Sequence, residues 1–111
     1  MDYSLDQYQK DSRKTAIYPE IGDKIIYPTL GLAGETGEVV DKIKKIFRDK
    51  KGVISDEDKD SIKKELGDVL WYLSQITTEL GLNLSEVAKG NIDKLMARME
   101  NNTLQGSGDN R

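Results

Sequence analysis

The sequence predicts an all-α protein, a four-helix bundle that forms one domain over residues 1–111. Apolar residues recur at steps of three and four along most of the chain, and no stretch shows the alternation typical of a half-buried strand. Capping residues, glycines and prolines divide this pattern into four segments. Hydrophobic residues make up 36% of the sequence, which is enough for one modest core but not for two.

The first helix is predicted to begin after Ser4, because Ser4 and Gln7 have the spacing of a capping box. The residues with helical spacing that follow are Leu5, Tyr8, Ser12 and Ala16. Residues 17–27 contain Pro19 and Gly22, which interrupt helical patterning, so a loop with a fragment of secondary structure is expected there.

Pro28 suits the first turn of a second helix, where its missing N–H would be unpaired in any case. This helix is expected to end near Arg48, and residues 49–53, which include Gly52, form the connection that follows. Its predicted inner face consists of Leu32, Val39, Val40, Ile43, Ile46 and Phe47.

Ser55 together with Asp58 is expected to cap a third helix, which Gly81 ends. Its apolar positions are Ile62, Leu66, Val69, Leu73, Ile76 and Leu80. Either Asn83 or Ser85 caps a fourth helix. The inner face of that helix is predicted to contain Val87, Ile92, Leu95, Met96 and Met99.

The composition excludes several kinds of chemistry. The chain contains neither Cys nor His, which argues against disulfides, thiolate sites, serine triads and imidazole-based zinc sites. Because 17 basic residues nearly balance 20 acidic ones, no strong field favours nucleic acid or an anionic membrane. Without a signal segment or a long apolar run, we expect a cytoplasmic protein.

Two pairs of acids with the same three-residue step lie on neighbouring predicted helices. Glu35 and Glu38 belong to the second helix, and Glu65 and Asp68 to the third, each pair at the edge of the apolar face. If the helices pack antiparallel, four carboxylates meet, which is repulsive unless a cation lies between them. Oxygen ligands alone favour magnesium or manganese. The alternative is that both pairs are ordinary exposed acids.

Three glycines, Gly31, Gly34 and Gly37, recur at every third position of the second helix, although each costs about 1 kcal/mol relative to Ala. They allow either the approach of a phosphate or tight packing against another helix, unless the second helix begins later in the sequence.

Further candidates lie one turn beyond Asp68 and on the fourth helix. Tyr72 is placed to reach a carboxylate, whereas the adjacent Trp71 is better suited to a core or an oligomer contact. Asn91, Lys94 and Arg98 form a row of donors suited to phosphate oxygens, unless they are only a solvated face.

The run LGLAGETGEV at residues 30–39 and the run KELGDVLWY at residues 64–72 resemble the signature of the MazG-like nucleotide pyrophosphohydrolases. This group belongs to the all-alpha NTP pyrophosphatases, together with dimeric dUTPases and phosphoribosyl-ATP pyrophosphohydrolase. The likeness covers residues 5–111, passing through residues 91–95 and, more loosely, the closing residues 106–111 of the polar tail.

The resemblance implies hydrolysis of a nucleoside triphosphate, ribo or deoxy, to the monophosphate and pyrophosphate. The implied magnesium ligands, with manganese as a substitute, are Glu35, Glu38, Glu65 and Asp68. The implied triphosphate contacts are Asn91, Lys94 and Arg98, with Tyr72 near the nucleotide. The base would be held by residues 17–27 and the first helix. Family members assemble as homodimers or homotetramers with the site near an interface.

Within this interpretation, we choose Glu38 as the carboxylate that accepts the proton of the attacking water, and Lys94 as the residue that stabilises the leaving pyrophosphate. Two alternatives stay open. One is a phosphoribosyl-ATP pyrophosphohydrolase, and the other is a non-catalytic helical module that binds magnesium or nucleotide and regulates a partner.

Overall fold

The computed structural model describes residues 1–101, 106, 108 and 109, and these contain four helices and no strand. The helices are α1 (Leu5–Arg13), α2 (Ile26–Asp49), α3 (Asp56–Glu79) and α4 (Leu84–Glu100). The predicted all-α class is therefore confirmed. None of these helices is long and apolar enough to cross a membrane. Most of the polar tail that the sequence predicts over about residues 101–111 lies outside the described residues.

The caps that begin α1, α3 and α4 are those of the sequence pattern. The Ser4 hydroxyl accepts from the Gln7 N–H at 3.0 Å. Ser55 and Asp58 form the reciprocal capping box of α3. Of the two candidates for α4, the cap is Asn83, whose Oδ1 accepts from two N–H groups of the first turn.

Two predicted boundaries were wrong. The first helix ends at Arg13 and does not reach Ala16, because the chain tightens there: the N–H of Ala16 donates to the Arg13 carbonyl, three residues back. The second helix begins at Ile26, so the predicted loop is shorter than residues 17–27, and Pro28 lies within the first turn as expected.

Helices α2 and α3 form an antiparallel hairpin. Near the connection, Lys50 Nζ lies 2.8 Å from Asp58 Oδ1, and at the far end Gly31 lies against the ring of Tyr72. Gly52, with a φ of 78°, allows the turn that joins the two helices. This register sets the acidic pairs of α2 and α3 opposite each other.

Helix α1 lies against the C-terminal part of α3 and is attached to it by polar contacts. The hydroxyls of Ser12 and Ser74 hydrogen-bond at 2.9 Å, and Gln75 Nε2 donates to Ser12 Oγ at 3.0 Å. Gln75 and Ser74 are completely buried. Because each of these polar groups has a partner, the interface tolerates their burial.

The helices do not close into a bundle within one chain. Helix α4 contacts α1 and α3, but among the described residues α2 contacts neither α1 nor α4. The radius of gyration is 16.9 Å, whereas a globular domain of this length has one of about 13 Å. The four-helix arrangement is therefore open.

Much of the predicted inner face is exposed in the single chain. Among the described residues, the buried hydrophobic side chains of the core are Ile46 and Leu84. The chain has an accessible surface of 8197 Å², whereas a folded monomer of its mass has about 6,200 Å². Exposed members of the predicted inner faces include Val40, Ile43, Phe47, Leu66, Leu73, Val87, Ile92, Met96 and Met99. The apolar periodicity was predicted correctly, but in the described part of the single chain these side chains are not covered by another helix.

Candidate metal centre and its surroundings

Three of the four predicted carboxylates meet between α2 and α3. One carboxylate oxygen from each of Glu35, Glu65 and Asp68 lies within 4.8 Å of the others. Glu35 and Glu65 are half-buried, and Asp68 is exposed at the open side. The fourth predicted acid, Glu38, is exposed and does not belong to this cluster. We call Glu35, Glu65 and Asp68 the carboxylate cluster.

The crowding of these acids has an electrostatic consequence. Burial raises the pKa of the Glu35 carboxyl above its ordinary value, and the neighbouring acids, Glu65 first, raise it further. The charge of Glu38 contributes in the same direction, so Glu38 is near the cluster although outside it. A site that favours a proton over a third negative charge also favours a cation.

The donor set fits a hard divalent cation. All donors of the cluster are carboxylate oxygens, which magnesium and manganese prefer, and their separation leaves room for one ion between them. The two pairs of acids on α2 and α3 thus face each other across the hairpin, as the antiparallel packing predicts. Three of the four acids lie close enough together to be ligands of one ion.

Lys42 also faces the cluster, and the sequence analysis missed it. Lys42 Nζ lies 2.8 Å from Ser61 Oγ and 3.8 Å from Glu65 Oε1. The sequence feature that could have predicted this position is that Lys42 follows Glu38 by one helical turn, which puts both side chains on the same side of α2. A cation is therefore already present at the edge of the cluster.

The three glycines of α2 have different surroundings. A Cβ at Gly31 would lie 2.2 Å from Cε1 of Tyr72, a distance that no side chain tolerates. A Cβ at Gly34 or Gly37 would meet no neighbouring atom within 4 Å in the described part of the chain. Close packing therefore explains Gly31, whereas the other two border open space.

Tyr72 lies against Gly31 and close to the carboxylate cluster. Burial raises the pKa of its hydroxyl, and the nearby Tyr27 and Glu35 raise it further. Tyr72 is thus close to the carboxylates, as its position after Asp68 predicts. Its contact with a nucleotide stays a prediction.

Four aromatic rings, from Tyr72 through Trp71 and Tyr18 to Tyr27, form a series of contacts. The Trp71 ring meets the rings of Tyr72 and Tyr18 edge to face, with centroid distances of 5.1 Å and 6.2 Å. The rings of Tyr18 and Tyr27 are stacked at 5.7 Å and 6°. Trp71 is half-buried, and its Nε1 donates to Thr15 Oγ1 at 2.8 Å. The predicted loop thus presents aromatic surface next to the cluster.

A polar contact holds this loop on α3. Arg13 Nη1 donates to the Tyr18 hydroxyl at 2.8 Å, and Arg13 Nη2 donates to Glu79 Oε2 at 3.0 Å. The Tyr18 hydroxyl in turn donates to Glu79. These three side chains fix the position of the Tyr18 ring, and no short-range sequence signal indicates that they meet.

The three predicted donors of α4 differ in their exposure to solvent and in their partners. Asn91 is exposed, whereas Arg98 is buried, with a side chain that is 6% exposed. Lys94 Nζ lies 3.0 Å from Asp109 Oδ1, and Arg98 Nη2 lies 3.2 Å from the same atom. Arg98 also donates to the Gly108 carbonyl at 3.1 Å. In the described chain these cations bind a carboxylate of the C-terminal segment.

Comparison with known proteins gives one family and one relative. A model of the MazG nucleotide pyrophosphohydrolase domain matches residues 28–103, well over half of the chain. The "Gene 37 protein" of Mycobacterium phage L5 is 47% identical over 112 residues, covering 96% of this chain and 98% of its own length. No solved structure matches the chain.

Proposed function

The chain belongs to the family of MazG nucleotide pyrophosphohydrolase domains, and we propose that it hydrolyses a nucleoside triphosphate, ribo or deoxy, to the monophosphate and pyrophosphate with magnesium. The observation that carries the proposal is the cluster of Glu35, Glu65 and Asp68, all three of which lie within the residues that the family model matches. Carboxylate oxygens are ligands that suit magnesium and manganese.

In this proposal the metal is magnesium, or manganese in its place, and its ligands are the cluster and Glu38. The convergence of Glu35, Glu65 and Asp68 supports this assignment. Burial first, and then the neighbouring acids, raise the pKa of Glu35, and a divalent cation would relieve the repulsion among these acids. When bound, the ion would neutralise charge that develops on the phosphate oxygens.

Glu38 is the residue that we assign as general base. It is exposed beside the cluster, so its carboxylate is open to solvent and can accept a proton from the attacking water. The water oxygen forms the new bond to phosphorus, the α–β phosphoanhydride bond breaks, and pyrophosphate leaves. The proton ends on a carboxylate oxygen of Glu38.

Asn91, Lys94 and Arg98 are assigned to the triphosphate, and Tyr72 to the nucleotide. The carboxylate of Asp109 already lies against both cations, which supports their suitability for an anion. Phosphate oxygens would take the place of Asp109. Lys94, the more exposed of the two cations, would then stabilise the leaving pyrophosphate.

The proposal includes assembly as a homodimer or homotetramer with the site near an interface. The chain exposes roughly 2,000 Å² more than a monomer of its mass, an excess comparable with the area buried in stable oligomers. Apolar side chains on three helices contribute to it. Light scattering on the purified protein tests this, and a monomeric mass would contradict it.

A pyrophosphate-release assay across NTPs, dNTPs and phosphoribosyl-ATP, with and without magnesium, tests the activity. Glu38→Ala and Asp68→Ala should abolish release while the helical circular dichroism stays intact, because each removes a ligand or the base. Glu100→Ala, an exposed acid at the end of α4, is the matched control and should keep full activity.

Three results of this assay would reject the proposal. The first is retained activity in Glu38→Ala and Asp68→Ala. The second is exclusive turnover of phosphoribosyl-ATP, which would indicate that other hydrolase. The third is a nucleotide-dependent rise in melting temperature with no release of pyrophosphate, as a regulatory binding module would give.

A further inference from the structure

The ammonium group of Lys42 is part of the seam between α2 and α3. Its Nζ is 2.8 Å from the Ser61 oxygen on α3 and 3.8 Å from Glu65 Oε1. The Lys42 side chain is 33% exposed and that of Glu65 20%, so both are withdrawn from solvent. The serine hydroxyl accepts from the ammonium and keeps it at this place.

The neighbouring lysines of α2 form ion pairs with an acid outside the cluster. Lys44 and Lys45 pair with Asp41 at 3.0 Å and 2.7 Å, and both are more exposed than Lys42. Among the residues that the structure describes, Lys42 alone forms an ion pair with a carboxylate of the cluster. Its charge therefore acts on the site, whereas theirs acts at the surface.

A fixed positive charge at this place has two opposite effects. It repels a divalent cation, so it weakens the binding of free metal. It also reduces the net negative charge that the site presents, so it favours the approach of a polyanion. A lysine that only supported the hairpin would affect both ligands in the same direction.

We propose that Lys42, held by Ser61, is a positioning residue that serves as the fixed counter-ion of the metal centre, weakening the binding of free divalent metal and strengthening the binding of the triphosphate. This inference rests on the proposed function. It gives the site a built-in preference for metal that arrives together with nucleotide.

The first test is Lys42→Met, titrated calorimetrically with Mn²⁺ in the absence of nucleotide. Loss of the charge should lower the Kd for Mn²⁺ by roughly fivefold to tenfold, the effect of one unit charge several ångströms from a divalent ion in a high dielectric. The KM for nucleotide at saturating magnesium should rise by a similar factor. Opposite shifts are a result that a merely structural role would not produce.

Three variants control this experiment. Lys45→Met removes the same charge from the surface and should change neither constant by more than about twofold. Lys42→Arg keeps the charge and should restore values near those of the wild type. Ser61→Ala frees the ammonium without removing it and should shift both constants in the direction of Lys42→Met, by less.

The inference is overturned if Lys42→Met binds Mn²⁺ as the Lys45→Met control does, or more weakly, while the wild type binds it measurably. If Lys42→Met does not fold, unchanged constants in Ser61→Ala overturn it. A wild type that binds no Mn²⁺ at all rejects the proposed function as well, so the two failures are distinguishable.

Discussion

The ring of Tyr72 lies so close to Gly31 that a single added carbon on residue 31 would stand 2.2 Å from Cε1 of the ring. This contact joins α2 to α3 one turn beyond the carboxylate cluster. The glycine therefore sets both the distance between the helices and the position of the tyrosine.

Replacing Gly31 by Ala should force the helices apart at the site. Overpacking of this kind costs about 1–3 kcal/mol, so the melting temperature should fall, and pyrophosphate release should fall with it because the cluster opens. Gly34→Ala is the matched control: its Cβ meets open space, and the better helix former should raise stability by up to about 1 kcal/mol. Equal melting temperatures for the two variants would contradict this account.

The carboxylate cluster makes the metal-free protein sensitive to pH. The folded pKa of Glu35 is raised, so the stability it contributes is fully present below its unfolded value, near 4.5, and is lost as the pH rises through the folded pKa. At pH 7, without metal, Glu35→Gln should therefore melt at a higher temperature than the wild type. Magnesium should raise the melting temperature of the wild type and not of the variant, as differential scanning fluorimetry would show.

The cap of α3 has the opposite dependence on pH. The side-chain hydrogen bond from Lys50, followed by the backbone N–H of Ser55, lowers the pKa of Asp58 to about 2. Its contribution is present above its unfolded value and is lost as the pH falls from about 4 towards 2. Asp58→Asn should lower the urea midpoint at pH 6 and lower it less at pH 3. A difference that grows with acid would show that this carboxylate is not held as the structure describes.

Local sequence signals were enough for the caps and the acidic pairs. Ser4, Ser55 and Asn83 bond the first turns of their own helices, so a few neighbouring residues decide where those helices begin. Each pair of acids is likewise separated by three residues, so the helical period alone predicts that both members lie on one side of their helix. Such features depend on short-range geometry.

The contacts that sequence reasoning missed depend on long-range register. Lys42 meets Ser61 only because the α2–α3 connection fixes how the helices slide past each other, and Arg13 meets Glu79 across 66 residues. Apolar periodicity, similarly, cannot tell whether a face is covered by the same chain or by another copy.

The hydroxyl of Tyr18 should matter for substrate affinity more than for folding. Tyr18→Phe removes the bonds with Arg13 and Glu79 that fix the ring beside Tyr27, so the loop loses its attachment to α3. We expect KM for nucleotide to rise by about tenfold, the cost of one or two hydrogen bonds, with a smaller change in kcat. Tyr3→Phe, which breaks a tyrosine bond to Asp11 instead of one that holds the loop, is the control. If both variants keep the wild-type KM, this loop does not contact the nucleotide.

Oligomer formation should depend on the apolar face of α4. Ile92 and Met96 lie four residues apart on that helix, and their exposed fractions are 53% and 49%. If a second copy covers them, replacing both by Glu would bury two unpaired charges in the interface, which is costly enough to dissociate it. Light scattering should then give a smaller mass than for the wild type, whereas Asp93→Asn, an exposed polar change between them, should leave the mass unaltered. An unchanged mass in the double variant would show that this face of α4 stays in solvent and that another apolar face joins the copies.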